Sequence, residues 1–448
     1  MTVTLKSVAK DIADAVREKT GGTAPIHFVD FPNSIRNIHA GLSNVNEDLP
    51  VVLWIWRDRI TGEEKHIEVN VPFGGTAVPP VDAGDVQANA GKNPKLAFIG
   101  WNYDPSDLTN IRQDMIIGAE YMPSDGKTYI YLTLNEATGG NTGINATLVP
   151  GVGNATIDWG DGTTTIMSSN GTSNKTYAAP GDKVITIDAG SRTLLHNSAL
   201  TGNTSGAAAV KRIFFGNGSA VQGSTFDGMQ NLETVSLPRH ANNTFGTRCF
   251  RDNSSLSYLV FPLGTTSVST ASQQNLYKLR FISFPVTHRG PMGNFTDTLN
   301  LERWVHPPNS EVIATPHGGV IHKVSVNDSN PSGIASFSGF NGLKRIRLPN
   351  DLTEIPTSFL NNCRNLHRRI TFPAAVNRIR GSVLSNTSVE EIVFLSANPP
   401  SLAFLGLTAD PFTKIFVPDA SVDDYKTATN WIREAWRIFP ISQLPGGL

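Results

Sequence analysis

Apolar positions in the second half of the chain recur on a fixed beat. Ten segments share the form L-x-x-I-x-L-P: VKRIFFG at 210, LETVSLP at 232, LSYLVFP at 256, LRFISFP at 279 and LERWVHP at 301, then IHKVSVN at 321, LKRIRLP at 343, LHRRITFP at 366, VEEIVFL at 389 and FTKIFVP at 412. Successive segments start 20 to 24 residues apart. Alternation within each predicts a short strand, with Val235 and Leu237 turned inward and Thr234 and Ser236 outward. The closing proline limits further pairing and starts a turn. Six residues ahead of a segment's first apolar position stands Phe226, Phe250, Phe295 or Phe337, with Phe359 displaced by one.

Each repeat thus brings one aromatic and three aliphatic side chains to one side. No repeat buries that face alone, so the repeats must stack into a solenoid with a shared core. With strands about 4.8 Å apart, ten coils would span roughly 45 Å. The pattern resembles the BspA-like class of leucine-rich repeat over residues 208–418, a class common in bacterial surface proteins and phage tail proteins. Three departures predict irregular coils: Gln273 replaces the expected Phe, LHRRITFP carries one extra residue, and the fifth and sixth repeats are degenerate. Cys363 falls where this class places Cys or Asn inside the coil, and a buried small residue is expected there rather than a reactive thiol.

Residues 419–448 predict a helical cap over the last coil. Ser421 with Asp424 resembles a capping box, and Tyr425, Ala428, Trp431, Ile432, Ala435 and Trp436 form the apolar stripe. Similar tails close many phage-encoded repeats of this class.

Three segments precede the repeats. Residues 1–45 give a short amphipathic helix with Val8, Ile12 and Val16 on one face, then a Gly-Gly break. Such a stripe must pack on something, and sister chains or a larger particle are favoured over later domains. The string SVAKDIADAVREKTGGTAPIHFVDFPNSIRNI resembles the opening of phage and prophage tail proteins, which implies attachment to other tail or baseplate proteins. Residues 46–124 read as a β-grasp-like spacer: VVLWIWRDRITGEEKHIEVNVPFGG predicts two alternating strands turning at Thr61-Gly62. Gly100-Trp101 and Ala119-Glu120-Tyr121 are similar to the close of the Listeria–Bacteroides repeat, from which the insert at 81–95 departs. Trp101 is expected in the core rather than on a ligand platform. Residues 125–207, with ATIDWGDGTTT, Tyr177 and a Pro-Gly turn, resemble a PKD-type β-sandwich. Asp158 and Asp161 admit a catalytic or calcium-binding reading, but Asp-Gly is foremost a turn signal.

The fold class is therefore mainly β and multidomain: a short N-terminal helix, β-grasp-like and β-sandwich modules, then a leucine-rich-repeat solenoid with a helical cap. A 17% charged fraction, 40 glycines and a net charge of −1 agree with turn-rich β structure and give no nucleic-acid signal. Two cysteines exclude a disulfide framework. The opening lacks the apolar core of a signal peptide, and no run of 18 apolar residues predicts membrane insertion.

No HExxH, GxSxG, P-loop or dinucleotide fingerprint occurs, and His317 with His322 falls in a predicted loop. Neither catalysis nor a cofactor or metal is expected. Between 301 and 380, ten Lys or Arg stand against five Asp or Glu. Arg212, Arg303, Lys323, Arg345, Arg347 and Arg369 take outward strand positions, as do Tyr258, Phe281 and Phe416. Stacking would align them into a basic and aromatic strip suited to an anionic glycan such as a phosphate-bearing wall polymer. Equally, outward Arg and Lys keep a flat sheet soluble. The whole resembles a phage tail or baseplate fibre, which implies a virion location, host-surface binding through the repeats, and a homo-oligomer with three chains as one option. A decoration protein whose repeats touch neighbouring subunits and a bacterial surface adhesin are the alternatives.

Overall fold

The computed structural model describes residues 49–445 except 136–140, 150–152, 192, 197–203, 241–243, 269–273, 290–299, 307–322, 327–336, 340–342, 349, 351, 404–405 and 408. Residues 141–149, 204–205, 244, 306 and 323–326 are described by backbone alone. Val8, Ile12, Val16, Gln273, Phe295, His317 and His322 lie outside the described residues.

The first module holds β1 (Val51–Arg57), β2 (Glu64–Asn70), β3 (Leu96–Trp101) and β4 (Met115–Pro123) in one sheet of order β2-β1-β4-β3. β1 and β4 run parallel at the centre and the outer pairs are antiparallel. The hairpin turns at Gly62, whose φ is 73°. Alternate residues Val52, Trp54 and Trp56 pack into the module's own core with Val86, Leu96, Tyr103 and Tyr121. Trp101 joins that core at its margin, edge-on to Trp54 at 4.7 Å between ring centroids.

The sandwich is built from β5 (Thr128–Leu134), β6 (Asn141–Val149), β7 (Ala155–Asp158), β8 (Thr164–Met167), β9 (Gly171–Thr176), β10 (Gly181–Asp188) and β11 (Thr193–His196). A short helix, α1 (Thr204–Ala209), leads into the repeats. The Trp159–Gly162 turn is closed from within: Asp158 Oδ1 accepts from Gly160 N, and Asp161 Oδ1 accepts from Thr163 N. Tyr177 OH donates to Trp159 O at 2.8 Å, pinning the turn to the segment that follows β9 in the facing sheet. Gly160 has φ 71°, and a Cβ there would meet Val184 O at 2.4 Å, so only glycine fits.

The repeats open with β12 (Val210–Phe214), β13 (Ser219–Gly223), β14 (Thr234–Ser236), β15 (Thr244–Phe245), β16 (Tyr258–Val260) and β17 (Phe281–Ser283). They continue with β18 (Arg303–His306), β19 (Lys323–Val326), β20 (Arg345–Arg347), β21 (Glu354–Ile355), β22 (His367–Phe372), β23 (Arg378–Ile379), β24 (Ser388–Phe394), β25 (Ser401–Leu402) and β26 (Lys414–Val417). Every one of the ten sequence segments carries a strand. The sheets of the sandwich continue past the predicted 207/208 boundary. β12 pairs antiparallel with β5 and parallel with β14, while β13 pairs with β11 and β15, so both sandwich sheets run on into the solenoid. The first coil therefore has no open edge towards the sandwich.

One hydrophobic core extends from Ile130 in the sandwich to Ile438 beyond the last repeat. Phe226, Phe250, Phe337 and Phe359 are buried in it as the spacing requires, with Phe226 stacked on Phe250 at 4.9 Å. Side chains also ladder between coils. Asn231 Nδ2, Ser254 Oγ, Asn300 Nδ2 and Ser388 Oγ each donate to a carbonyl one repeat back. The buried Cys363 thiol donates to Phe337 O at 3.1 Å, and burial pushes the Cys249 thiol well above its usual range, so Cys249 is not poised as a thiolate. The irregularity expected at LHRRITFP is a bulge: the β22–β24 register shifts between Arg368 and Arg369. The fifth and sixth repeats, though degenerate, pair in regular register from Arg303 with Lys323 to His306 with Val326.

The cap departs from the expected continuous helix. A 3-10 turn, Asp419–Ser421, already winds the chain before α2 (Val422–Thr427). Ser421 at φ −107°, ψ 0° makes no side-chain cap, because a cap needs extended backbone at that position. Ala428 is extended and Asn430 is left-handed at φ 67°, so the following 3-10 segment Trp431–Arg437 restarts in a new phase. Tyr425 and Trp431 are buried against Phe394, but Ile432 and Trp436 face solvent. Trp431 Nε1 donates to Pro400 O, and β27 (Ile438–Pro440) pairs parallel with β26. The last coil is thus covered by two aromatics and one further strand.

Candidate interaction surface

The outward face of the repeat strands is where the sequence placed a ligand strip. In the structure the first module lies across it. β1 has two buried faces: Leu53 and Ile55 point away from the module core and meet Ile116, Phe281 and Val305, with Tyr258 and Val260 at the margin. The approach is close. A Cβ on Gly118 of β4 would fall 2.3 Å from Val260 Cγ1, so glycine at this position lets the two sheets touch.

Polar groups stitch this seam. Asn102, fully buried, donates to Phe261 O at 3.0 Å and Ser283 Oγ at 2.9 Å and accepts from Gly118 N at 2.8 Å. Ser283 Oγ donates to Ile116 O at 2.6 Å. Module carboxylates then meet solenoid donors. Glu120 takes a two-pronged contact from Arg239 and accepts from Leu263 N. Glu64 accepts from Thr234 Oγ1, Glu68 lies 2.9 Å from Arg303, and Asp114 lies 3.4 Å from Arg347. Burial raises the Glu120 carboxyl above its ordinary range, and the Arg239 contact opposes the shift. His66 Nδ1 sits 3.0 Å from Tyr258 OH, with its protonation disfavoured by burial and by nearby Arg280.

The predicted strip is accordingly corrected. Thr234 and Ser236, expected outward and solvated, are buried beneath the module. Phe281 and Arg303 are each 1% exposed. Tyr258 and Arg347 are half-buried in the seam, and Arg345 is also half-buried. Lys323 is placed by backbone only, in register between Arg303 and Arg345. At the other end Phe416 is buried under Phe439 and Leu444, and Arg369 bonds Glu391 and Pro445 O. Arg212 lines an open cleft, paired to Glu233 at 2.6 Å. The physical reason is the same at both ends: an aromatic sheet face finds cover within its own chain. A signal for this was present, since VVLWIWR is a continuous apolar run of the kind found in strands buried on both faces. Nothing local marked Asn102, Asp114 or Glu120 as seam residues.

Solvent keeps a different set of apolar groups. Phe412 is 88% exposed, and Ile432 and Trp436 are 63% exposed, beside the cap. Phe412 corrects a sequence reading, because the repeat pattern assigns it to the core. Buried Arg437 ties this rim together by donating to Asp410 O and Thr413 O while its guanidinium lies 5.8 Å from the Trp436 ring. At the sandwich, Lys175 pairs with Asp161 at 2.6 Å and holds that carboxyl down at about 2. Asp161 therefore acts as a turn anchor. Among the described residues no group of three His, Cys, Asp or Glu is placed to hold a metal ion, and no helix is long and apolar enough to cross a membrane.

The residues that build this stacked, Phe-laddered array match the BspA type leucine rich repeat region, in six copies over residues 208–314 and 325–402. The array carries BspA-type leucine-rich repeats. A leucine-rich repeat protein from Bacteroides ovatus ATCC 8483 is similar to the chain at 14% identity, over 57% of this chain and 71% of that one, with a TM-score of 0.24. The comparison with curated proteins returned no match.

Proposed function

We propose that the chain works by contact rather than by chemistry, as a tail or baseplate fibre-type protein of a phage particle whose repeat half binds the bacterial host surface. The observation that carries this reading is the single core from Ile130 to Ile438, which joins sandwich, repeats and cap into one stiff body with aromatic side chains displayed at its far rim. Residues 1–45, with the Val8, Ile12 and Val16 stripe, attach the body to other virion proteins and to sister chains. A host glycan or wall polymer is the partner at the repeat half, and no cofactor or nucleic acid is needed. The resemblance of the opening segment to phage tail proteins supports the particle assignment. Purified protein should bind host cells or wall extract, and antibody against residues 208–418 should block adsorption. Failure of both overturns the reading.

The covered strip favours a second reading, a head or tail decoration protein, because much of the outward repeat face is already occupied within the chain. Immunogold labelling of particles separates the two by location.

A further inference from the structure

We propose that the cleft between the first module and the start of the solenoid holds one pyranose unit of a surface glycan, with room for a single acidic substituent. The proposal rests on the host-surface reading above and gives it a site. The cleft lies where the first module meets the first repeat strands, a junction of the kind where ligand sites are common, and its volume of 340 Å³ is at the small end of ligand-sized pockets, which begin at roughly 300 Å³.

Its walls are lined by cation–carboxylate pairs. Arg57 contacts Glu64 at 3.2 Å, Arg212 contacts Glu233 at 2.6 Å, and Lys92 contacts Glu63 at 3.6 Å. Two of these are fixed further. Arg57 lies 5.5 Å over the Phe214 ring and donates to Gly62 O, and Arg212 donates to Gly91 O across the cleft edge. A polyanion entering here would have to displace carboxylates from their partners. A ring of hydroxyls would not, since each hydroxyl donates to a carboxylate and accepts from a guanidinium or ammonium at once. Ser255 and Ser257 add hydroxyls on the solenoid side. Lys278 is exposed on the same wall, and among the described residues it makes no ion pair. It leaves one cation for one acidic substituent.

The test titrates methyl glucoside, galactoside, N-acetylglucosaminide and glucuronide into the full chain, read by saturation-transfer NMR and calorimetry. At least one pyranoside should bind. Ser257→Trp, which fills the cleft, should weaken binding by about tenfold or more, and Lys278→Glu should weaken the glucuronide selectively by a similar factor. Ile166→Ser, on the exposed sandwich strand β8, should leave binding unchanged. No binding by any pyranoside, or binding indifferent to both cleft variants, overturns the proposal. Host-cell adsorption that survives Ser257→Trp overturns the cleft while sparing the host-surface reading. Absence of adsorption by the unmodified protein overturns that reading itself.

Discussion

Asn102 of the first module donates to Ser283 of the fourth repeat at 2.9 Å, across 181 residues of sequence and with both side chains fully buried. A buried amide with its three bonds made contributes stability only while all three stay made. Asn102→Leu strands Phe261 O and Gly118 N together and leaves Ser283 Oγ with only its bond to Ile116 O. The expected cost is about 2–4 kcal/mol in urea unfolding, with the module and solenoid still melting as one. A cost under about 0.5 kcal/mol would mean that the seam is not formed in solution.

Arg303 and Glu68 make the opposite case. The guanidinium is buried and its contact with Glu68 is close, but it has no aligned hydrogen bond among the described residues. Replacing such a cation with an apolar chain is frequently neutral or stabilising, whereas removing its counter-charge strands it. Arg303→Met should therefore change stability by less than about 1 kcal/mol in either direction, and Glu68→Gln should lower it by about 1–3 kcal/mol. Chemical denaturation of the two variants side by side decides this.

Acid should loosen the seam through His66. Its folded pKa is lowered from 6.5 by burial, with Arg280 adding to the shift, while Glu68 and Glu302 oppose it and Tyr258 OH holds the ring. A lowered folded pKa means that the neutral ring's contribution is complete above pH 6.5 and is lost as pH falls through the folded value. Thermal unfolding between pH 8 and pH 5 should show a drop that His66→Gln reduces. A drop of equal size in the variant would assign it to other groups.

Phe412 and Trp431 sit close together in sequence and should behave oppositely. Trp431 is fully buried against Phe394 and Tyr425, so Trp431→Ala should cost about 3–5 kcal/mol and fray the last coils, visible as faster amide exchange in β24 and β26. Phe412→Ser should leave stability within about 0.5 kcal/mol, because the ring is already in solvent. A large loss from Phe412→Ser would place it in the core, where the repeat pattern alone had put it.

Much of the solenoid was legible because its code is local and repeated. Leu256 or Phe226 is buried for a reason carried within its own repeat, and one bulge could be read from one extra residue in LHRRITFP. The cap was half legible. Its aromatics announced burial, but the left-handed Asn430 that resets the helical phase did not. The interaction face was least legible, since Phe281 and Arg303 look the same in sequence whether they face solvent or another module.

By itself, then, the sequence determined a stacked repeat array with a laddered aromatic core, because periodic burial requires only that each repeat meet its neighbours. The apolar run VVLWIWR was read as an alternating strand, and the structure buries both of its faces. Only the tertiary structure decided which surface supplies that cover. The docking of β1 and β4 on the repeat strands depends on shape and pairing between residues well over a hundred positions apart, on a glycine at 118 opposite Val260, and on Asn102, Glu68 and Asp114 meeting their partners. No periodicity encodes such a match, and it turned the predicted binding strip into an internal seam.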